Sequence, residues 1–242
     1  ILNMKPKHKV LINDEGTKYI WSAGDFHTKE GFIKEEDLKK KIRVSTSKGK
    51  QYISFPAQFS DLFQTLKRGP AVILPKDIGV IIAIAGICPS TKVVEAGTGS
   101  GFLTAYVAHI TSRVVSYERN KEFYAIAKKN LERLNVKAKL KNKDITQGID
   151  EKNVDVIILD LEEPLKVMKH AYNALKAGGF LVLYQPHISQ VQEGVIVAQK
   201  EGFYHQVTTE IVQRDWVVEE KKLRPKHMGL MHTGFLTFLR KV

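Results

Sequence analysis

From residue 92 onward the chain alternates short apolar runs with longer stretches whose apolar positions recur at helical spacing. Residues 92–95, 113–118, 138–140, 154–160 and 179–184 predict strands, and 102–110, 121–134, 165–174 and 190–201 predict the helices between them. That rhythm belongs to a doubly wound α/β domain with a mostly parallel sheet. Residues 206–211 and 234–239 predict a closing strand pair with an antiparallel strand. The pattern before it differs. Residues 10–12, 18–21, 31–33 and 51–55 read as short strands broken by turns such as Asn13-Asp14-Glu15-Gly16, with one helical turn over 35–41. We therefore expect a small β-rich domain at 1–60 and a larger α/β domain at 61–242, the latter opening with two helical stretches around 68–75.

The alternation is interrupted most sharply at Val93-Val94-Glu95-Ala96-Gly97-Thr98-Gly99-Ser100-Gly101. Three glycines at alternate positions between a strand and a helix let backbone approach a ligand where a Cβ would collide, and they aim helix N-terminal amides at it. A phosphate loop needs Gly-Lys-Ser/Thr at the end of the turn, and this chain has Gly101-Phe102-Leu103. A dinucleotide turn needs glycine where Phe102 stands. Glu95 repels phosphate and suits a ligand bearing an ammonium or hydroxyl groups. This E-x-G-x-G-x-G turn resembles motif I of class I S-adenosylmethionine (SAM)-dependent methyltransferases, which have a Rossmann-like fold.

Four acids, Glu95, Glu118, Asp144 and Asp160, close four consecutive strands, and in an open parallel sheet those ends line one crevice. Glu118 can accept two hydrogen bonds from a ribose diol. Asp144 can accept from an adenine amino group, with the amide of Ile145 beside it. Asp160 emerges from the buried run Val156-Ile157-Ile158-Leu159 next to the methyl donor. Methylases of exocyclic amines present Asn/Asp-Pro-Pro-aromatic at this place, whereas here Leu161-Glu162-Glu163-Pro164 follows. A lone carboxylate suits N1 of adenine, whose methylation makes the base cationic. It accepts from the N6 amino group as charge develops, or takes its proton.

Glu95–Gly101, Asp160-Leu161-Glu162-Glu163-Pro164, Tyr184-Gln185-Pro186-His187-Ile188-Ser189-Gln190-Val191 and His232-Thr233-Gly234-Phe235-Leu236 together resemble the tRNA (adenine-58-N1) methyltransferase family. Pro75-Lys76-Asp77 and Phe26-His27-Thr28 match it as well. The resemblance implies SAM as cofactor, tRNA as partner and a homotetramer. It implies methylation at N1 of the T-loop adenine at position 58, with position 57 also modified in some archaeal members. By position, Asp160 becomes the catalytic carboxylate. Ile73, Glu95, Gly97, Thr98, Gly99, Ser100, Gly101, Phe102, Glu118, Asp144 and Ile145 surround SAM. His187, Gln190, His232 and Thr233 become substrate-binding candidates. The chain departs from the family at Leu74, where a Tyr or His ring is usual, at Gln185-Pro186-His187-Ile188 in place of Leu-Pro-Asn-Ile/Val, and at Met231 in place of glycine. His187 can supply the hydrogen bonding of the missing asparagine, and Leu74 can only pack.

Charge agrees with that partner. With 38 Lys and Arg against 26 Asp and Glu, the net charge of +12 favours a polyanion. No basic run forms a tail, so the surface must be assembled by folding, from the N-terminal domain and from residues 214–226. His27, His187 and His232 lack metal-ligand spacing, and no metal is expected. Cys88, the single cysteine, and both tryptophans, Trp21 and Trp216, are expected in the core. The apolar run at 78–88 is too short to span a bilayer and no signal pattern opens the chain, so a cytoplasmic enzyme is expected. Two other readings share features. Protein isoaspartyl carboxyl methyltransferases have Ile-Ser-x-Pro, here Ile53-Ser54-Phe55-Pro56, but Asp160 would repel a carboxylate acceptor. A non-catalytic tRNA-binding subunit would not keep an intact motif I.

Overall fold

A computed structural model of the protein describes residues 8–242 apart from Pro70, Met228 and Leu230. The first seven positions of the expected N-terminal domain lie outside the described residues. The chain divides into two compact units, one ending at Leu66 and the other beginning at Lys67.

The first unit holds β1 (Lys9–Asn13), β2 (Lys18–Trp21), β3 (Phe26–Thr28), β4 (Gly31–Ile33), α1 (Glu35–Lys40), β5 (Arg43–Ser45), β6 (Gln51–Pro56) and α2 (Phe59–Phe63). Its antiparallel sheet runs β2-β1-β6-β5, and β3 and β4 form a separate hairpin. Leu11, Trp21, Ile33, Leu38, Val44 and Tyr52 make its core. Trp21 is buried there, and its indole donates to the Gly24 carbonyl at 2.7 Å. β3 and β5, each three residues long, are not among the strands expected from the sequence.

The second unit opens with α3 (Pro75–Ile84). It continues with β7 (Val93–Ala96), α4 (Phe102–Ile110), β8 (Val114–Tyr117), α5 (Lys121–Leu134), β9 (Lys139–Lys141) and β10 (Val154–Leu159). Then come α6 (Met168–Ala174), β11 (Leu175–Gln185), α7 (Ile188–Lys200), β12 (Phe203–Glu210), β13 (Trp216–Glu219), β14 (Lys222–Pro225) and β15 (Phe235–Lys241). A seven-stranded sheet runs β12-β15-β11-β10-β7-β8-β9. The strands from β11 to β9 pair in parallel, and β15 is antiparallel between β11 and β12. β7 and β10 are central, so helices cover both faces and their side chains read as unbroken apolar runs. Val93, Val94, Ile157, Ile158 and Leu159 are all fully buried. This is the doubly wound, mostly parallel architecture that the alternation announces, with the antiparallel closing strand, and it is the fold that the motif I resemblance implies.

Two expectations are corrected. Cys88 is exposed, in the turn between α3 and β7, where Ser90 and Thr91 hydroxyls surround its sulfur. The apolar run before it ends with the α3 helix and Ile87, one residue short of the thiol. Trp216 is half exposed on the β13–β14 hairpin. That hairpin is an insertion between β12 and β15, and its dense charges hide the strand pattern. No helix among the described residues is long and apolar enough to cross a membrane.

Candidate active site

The turn after β7 crosses the end of β10. Gly97 has φ +87°, and a methyl group there would overlap the Asp160 carbonyl oxygen. Only glycine lets the two strand ends meet so closely. Gly101, at φ +82°, caps α4 and lies against Ala127 of α5, where a Cβ would sit 3.1 Å from the alanine methyl. The turn is then pinned from its flanks. Gly99 N donates to Glu118 Oε2 at 2.8 Å and Asn120 N donates to Glu118 Oε1 at 2.8 Å. Asn130 of α5 donates from Nδ2 to the Ser100 carbonyl at 2.8 Å.

Beneath this turn lies a pocket of about 260 Å³. Its walls include Glu95, Gly97, Thr98, Gly99 and Ser100 from the turn and Phe102 from α4. Ile73, Glu118, Asp144, Ile145 and Asp160 complete the same wall, so the strand-end acids share one crevice. Gly101 does not line it. Leu161 to Glu163, from the motif after Asp160, also line it, and residues not singled out from sequence contribute as well: Tyr117, Arg119 and Phe123 from the β8–α5 region, and Lys143. Their only signal in the sequence is adjacency to the strand-end acids.

The acids differ in state. Asp144 caps a short 3₁₀ turn, Ile145–Gln147, with Oδ1 accepting from Thr146 N at 2.9 Å and Thr146 Oγ1 at 2.8 Å. Those bonds hold its carboxyl below the ordinary range and leave Oδ2 uncommitted. Burial pushes Glu95 up to about 8, despite Thr104 Oγ1 donating to Oε2 at 2.6 Å. Burial therefore favours the neutral form of Glu95, which weakens the charge argument against phosphate. Burial alone pushes Asp160 up to about 6. Among the described residues no hydrogen bond or ion pair reaches its carboxylate.

Leu159 of β10 pairs with Leu183 of β11, so Asp160 and Tyr184 stand at one level on adjacent parallel strands. Burial raises the Tyr184 phenol to about 12, with Asp77 and Asp160 adding to the shift. Tyr184 opens the Tyr184–Val191 segment that carries the resemblance, yet it is not among the candidate site residues read from the sequence. Gly234 lies flat against it, and a methyl group there would come within 2.7 Å of Tyr184 Cζ.

None of the substrate-binding candidates lines the pocket. Thr233 Oγ1 donates to Asp77 Oδ2 at 2.9 Å and accepts from Lys76 Nζ at 2.6 Å. Lys76 also reaches Asp77 Oδ1 and the Ile211 carbonyl, each at 2.7 Å. His232 sits between Glu210 and Pro186. His187 is exposed before α7, and the Gln190 carbonyl accepts from Gln185 Nε2 at 2.9 Å. Among the described residues no group of three or more His, Cys, Asp or Glu could hold a metal ion.

Comparison with known proteins fits this geometry. The family model for the tRNA methyltransferase complex GCD14 subunit matches residues 62–234. The chain is 34% identical to the tRNA (adenine(57)-N(1)/adenine(58)-N(1))-methyltransferase TrmI of Methanocaldococcus jannaschii, covering 96% of this chain and 94% of that protein. It is 32% identical to a tRNA (adenine(58)-N(1))-methyltransferase TrmI of Thermus thermophilus, covering 98% of this chain and 97% of that protein. A solved SAM-dependent O-methyltransferase from Thermotoga maritima superposes with a TM-score of 0.88 at 27% identity, over 99% of this chain and 94% of that one.

Proposed function

The chain belongs to the tRNA (adenine-58-N1) methyltransferase family, and on that premise we propose that it methylates N1 of the T-loop adenine at position 58 of tRNA, using SAM. The observation that carries the reading is Asp160, a half-buried carboxylate with no hydrogen-bond or ion-pair partner among the described residues, at the mouth of a pocket suited to a nucleoside-bearing cofactor. The names of the relatives include both N- and O-methylation, so the acceptor atom must be argued from this carboxylate rather than from the fold. The M. jannaschii relative is named for adenines 57 and 58, which supports extending the proposal to position 57.

The residues present fit SAM. Among the described residues, buried Ser100 Oγ in the wall has no hydrogen-bond partner. Both Glu118 oxygens keep a lone pair beyond the amides they hold, enough for a ribose diol. Asp144 Oδ2 and the Ile145 amide stand where an adenine edge can be read, and Ile73 and Phe102 supply apolar surface. When bound, SAM supplies the methyl group. Asp160 accepts a hydrogen bond from the adenine N6 amino group and takes its proton or balances the positive charge gained at N1. Tyr184, beside it, gives the flipped base a flat wall. Lysines of the first unit and Arg214, Lys221, Lys222, Arg224 and Lys226 around the β13–β14 hairpin offer charges for RNA phosphates. A homotetramer acting in the cytoplasm belongs to the same proposal. Incubation with labelled SAM and either unmodified tRNA or an isoaspartyl peptide tests the reading, with label expected in the tRNA. Label in the peptide alone would assign the protein to carboxyl methylation.

A further inference from the structure

The loop before β15 carries three consecutive residues into three different attachments. Gly234 lies against Tyr184, and Thr233 joins the buried Lys76–Asp77 pair of α3. His232 reaches two further elements. Its Nδ1 stands 2.5 Å from Glu210 Oε1 at the end of β12, and its Nε2 stands 2.8 Å from the Pro186 carbonyl oxygen after β11. A carbonyl can only accept and a carboxylate accepts, so both ring nitrogens must donate. A neutral imidazole satisfies one of the two.

We infer that His232 is a positioning residue for the reaction. Its charged ring ties the turn after β11 to the end of β12 and so fixes Tyr184 beside Asp160. The inference rests on the proposed methylation of tRNA. It differs from a substrate-binding role, because both nitrogens are already engaged within the protein. The groups facing the ring are Glu210 from β12, the Pro186 carbonyl from the turn after β11, Lys76 from α3 and the Phe235 ring, 5.0 Å away centroid to centroid, from β15. The Glu210 carboxylate and then the Pro186 carbonyl raise the imidazole above its ordinary value, against smaller opposing effects of burial and Lys76. A ring so raised keeps its clamp at low pH and releases it as pH rises through the raised value.

Imidazole NMR and the pH dependence of kcat, at saturating SAM and tRNA, test this together. In the wild-type protein both His232 nitrogens are expected to carry protons at neutral pH, and kcat is expected to fall along an alkaline limb. Glu210→Gln removes the carboxylate and moves that limb to lower pH by about half a unit or more. His232→Gln lowers kcat roughly tenfold and removes the limb, leaving the SAM KM within about twofold. A neutral His232 ring overturns the inference, as does an alkaline limb that neither substitution moves. An increase in tRNA KM with kcat unchanged in His232→Gln overturns it too, since that marks a substrate contact. Where His232→Gln folds poorly, the direction of the limb's shift in Glu210→Gln decides. If the wild-type protein methylates no tRNA, the proposed function falls, and the NMR titration still decides whether the ring is charged.

Discussion

Gly97 and the backbone of Asp160 are in direct contact, so the glycine turn and the lone carboxylate are one piece of structure. A side chain at 97 must displace the carbonyl of Asp160 and also adopt φ +87°. Gly97→Ala is therefore expected to destabilise the protein by roughly 2–4 kcal/mol, combining overpacking with backbone strain. SAM affinity should fall with it. Denaturant unfolding and calorimetric titration check both, and an alanine variant with wild-type stability would remove the contact from the account.

Asp160 is held at a cost to stability. Burial raises its carboxyl from the ordinary value to about 6. A carboxyl raised on folding contributes stability that is complete below its unfolded value and is lost as pH rises through about 6. Asp160→Asn should therefore melt higher than wild type at pH 8, with the difference shrinking as pH falls through about 6 and vanishing only below the ordinary value of 3.8. Its turnover should fall by about 100-fold or more with SAM binding retained. The wild-type rate should fall as pH drops through about 6, where the carboxylate is protonated. Thermal melts and single-turnover assays across this range test the sign of each effect.

Glu95 gives a different pH signature. Burial raises its carboxyl to about 8 and so favours the neutral form near pH 7. A cationic cofactor beside it favours the ionised form, so SAM binding near pH 7 should release protons. Titration calorimetry in buffers of different ionisation enthalpy measures the number directly. An enthalpy independent of the buffer would mean that Glu95 does not sense the cofactor.

The Lys76–Asp77 pair is almost wholly buried, with side chains 6% and 0% exposed. Lys76→Met leaves the carboxylate unpaired and should cost roughly 3–5 kcal/mol. Replacing both residues with apolar ones should recover much of the loss, because the desolvation of two charges disappears with them. A stability measurement on the single and double variants distinguishes a structural strut from a surface ornament.

What the sequence made legible follows from sheet position. β7 and β10 are central, so their burial on both faces left unbroken apolar runs, and the acids at their ends, Glu95 and Asp160, stood out as polar residues closing buried strands. Short strands such as β5, with Val44 alone buried, left no periodic signal. Tyr184 was hidden for another reason. Its place beside Asp160 arises from the pairing of β10 with β11, and a glycine far along the chain, Gly234, completes its packing. Thr233 and Lys76 are 157 residues apart and meet only in the fold. Their hydrogen-bonding capacity was visible, but what they would spend it on was not.

The most direct test is mass-spectrometric mapping of 1-methyladenosine on T-loop fragments of unmodified tRNA treated with SAM and the wild-type protein or Asp160→Ala. 1-Methyladenosine is expected at position 58 with the wild-type protein, and a loss of about 100-fold or more in rate with the variant. A wild-type protein that binds SAM and leaves the T-loop adenine unmethylated would contradict the proposed function, as would a variant that methylates at the wild-type rate.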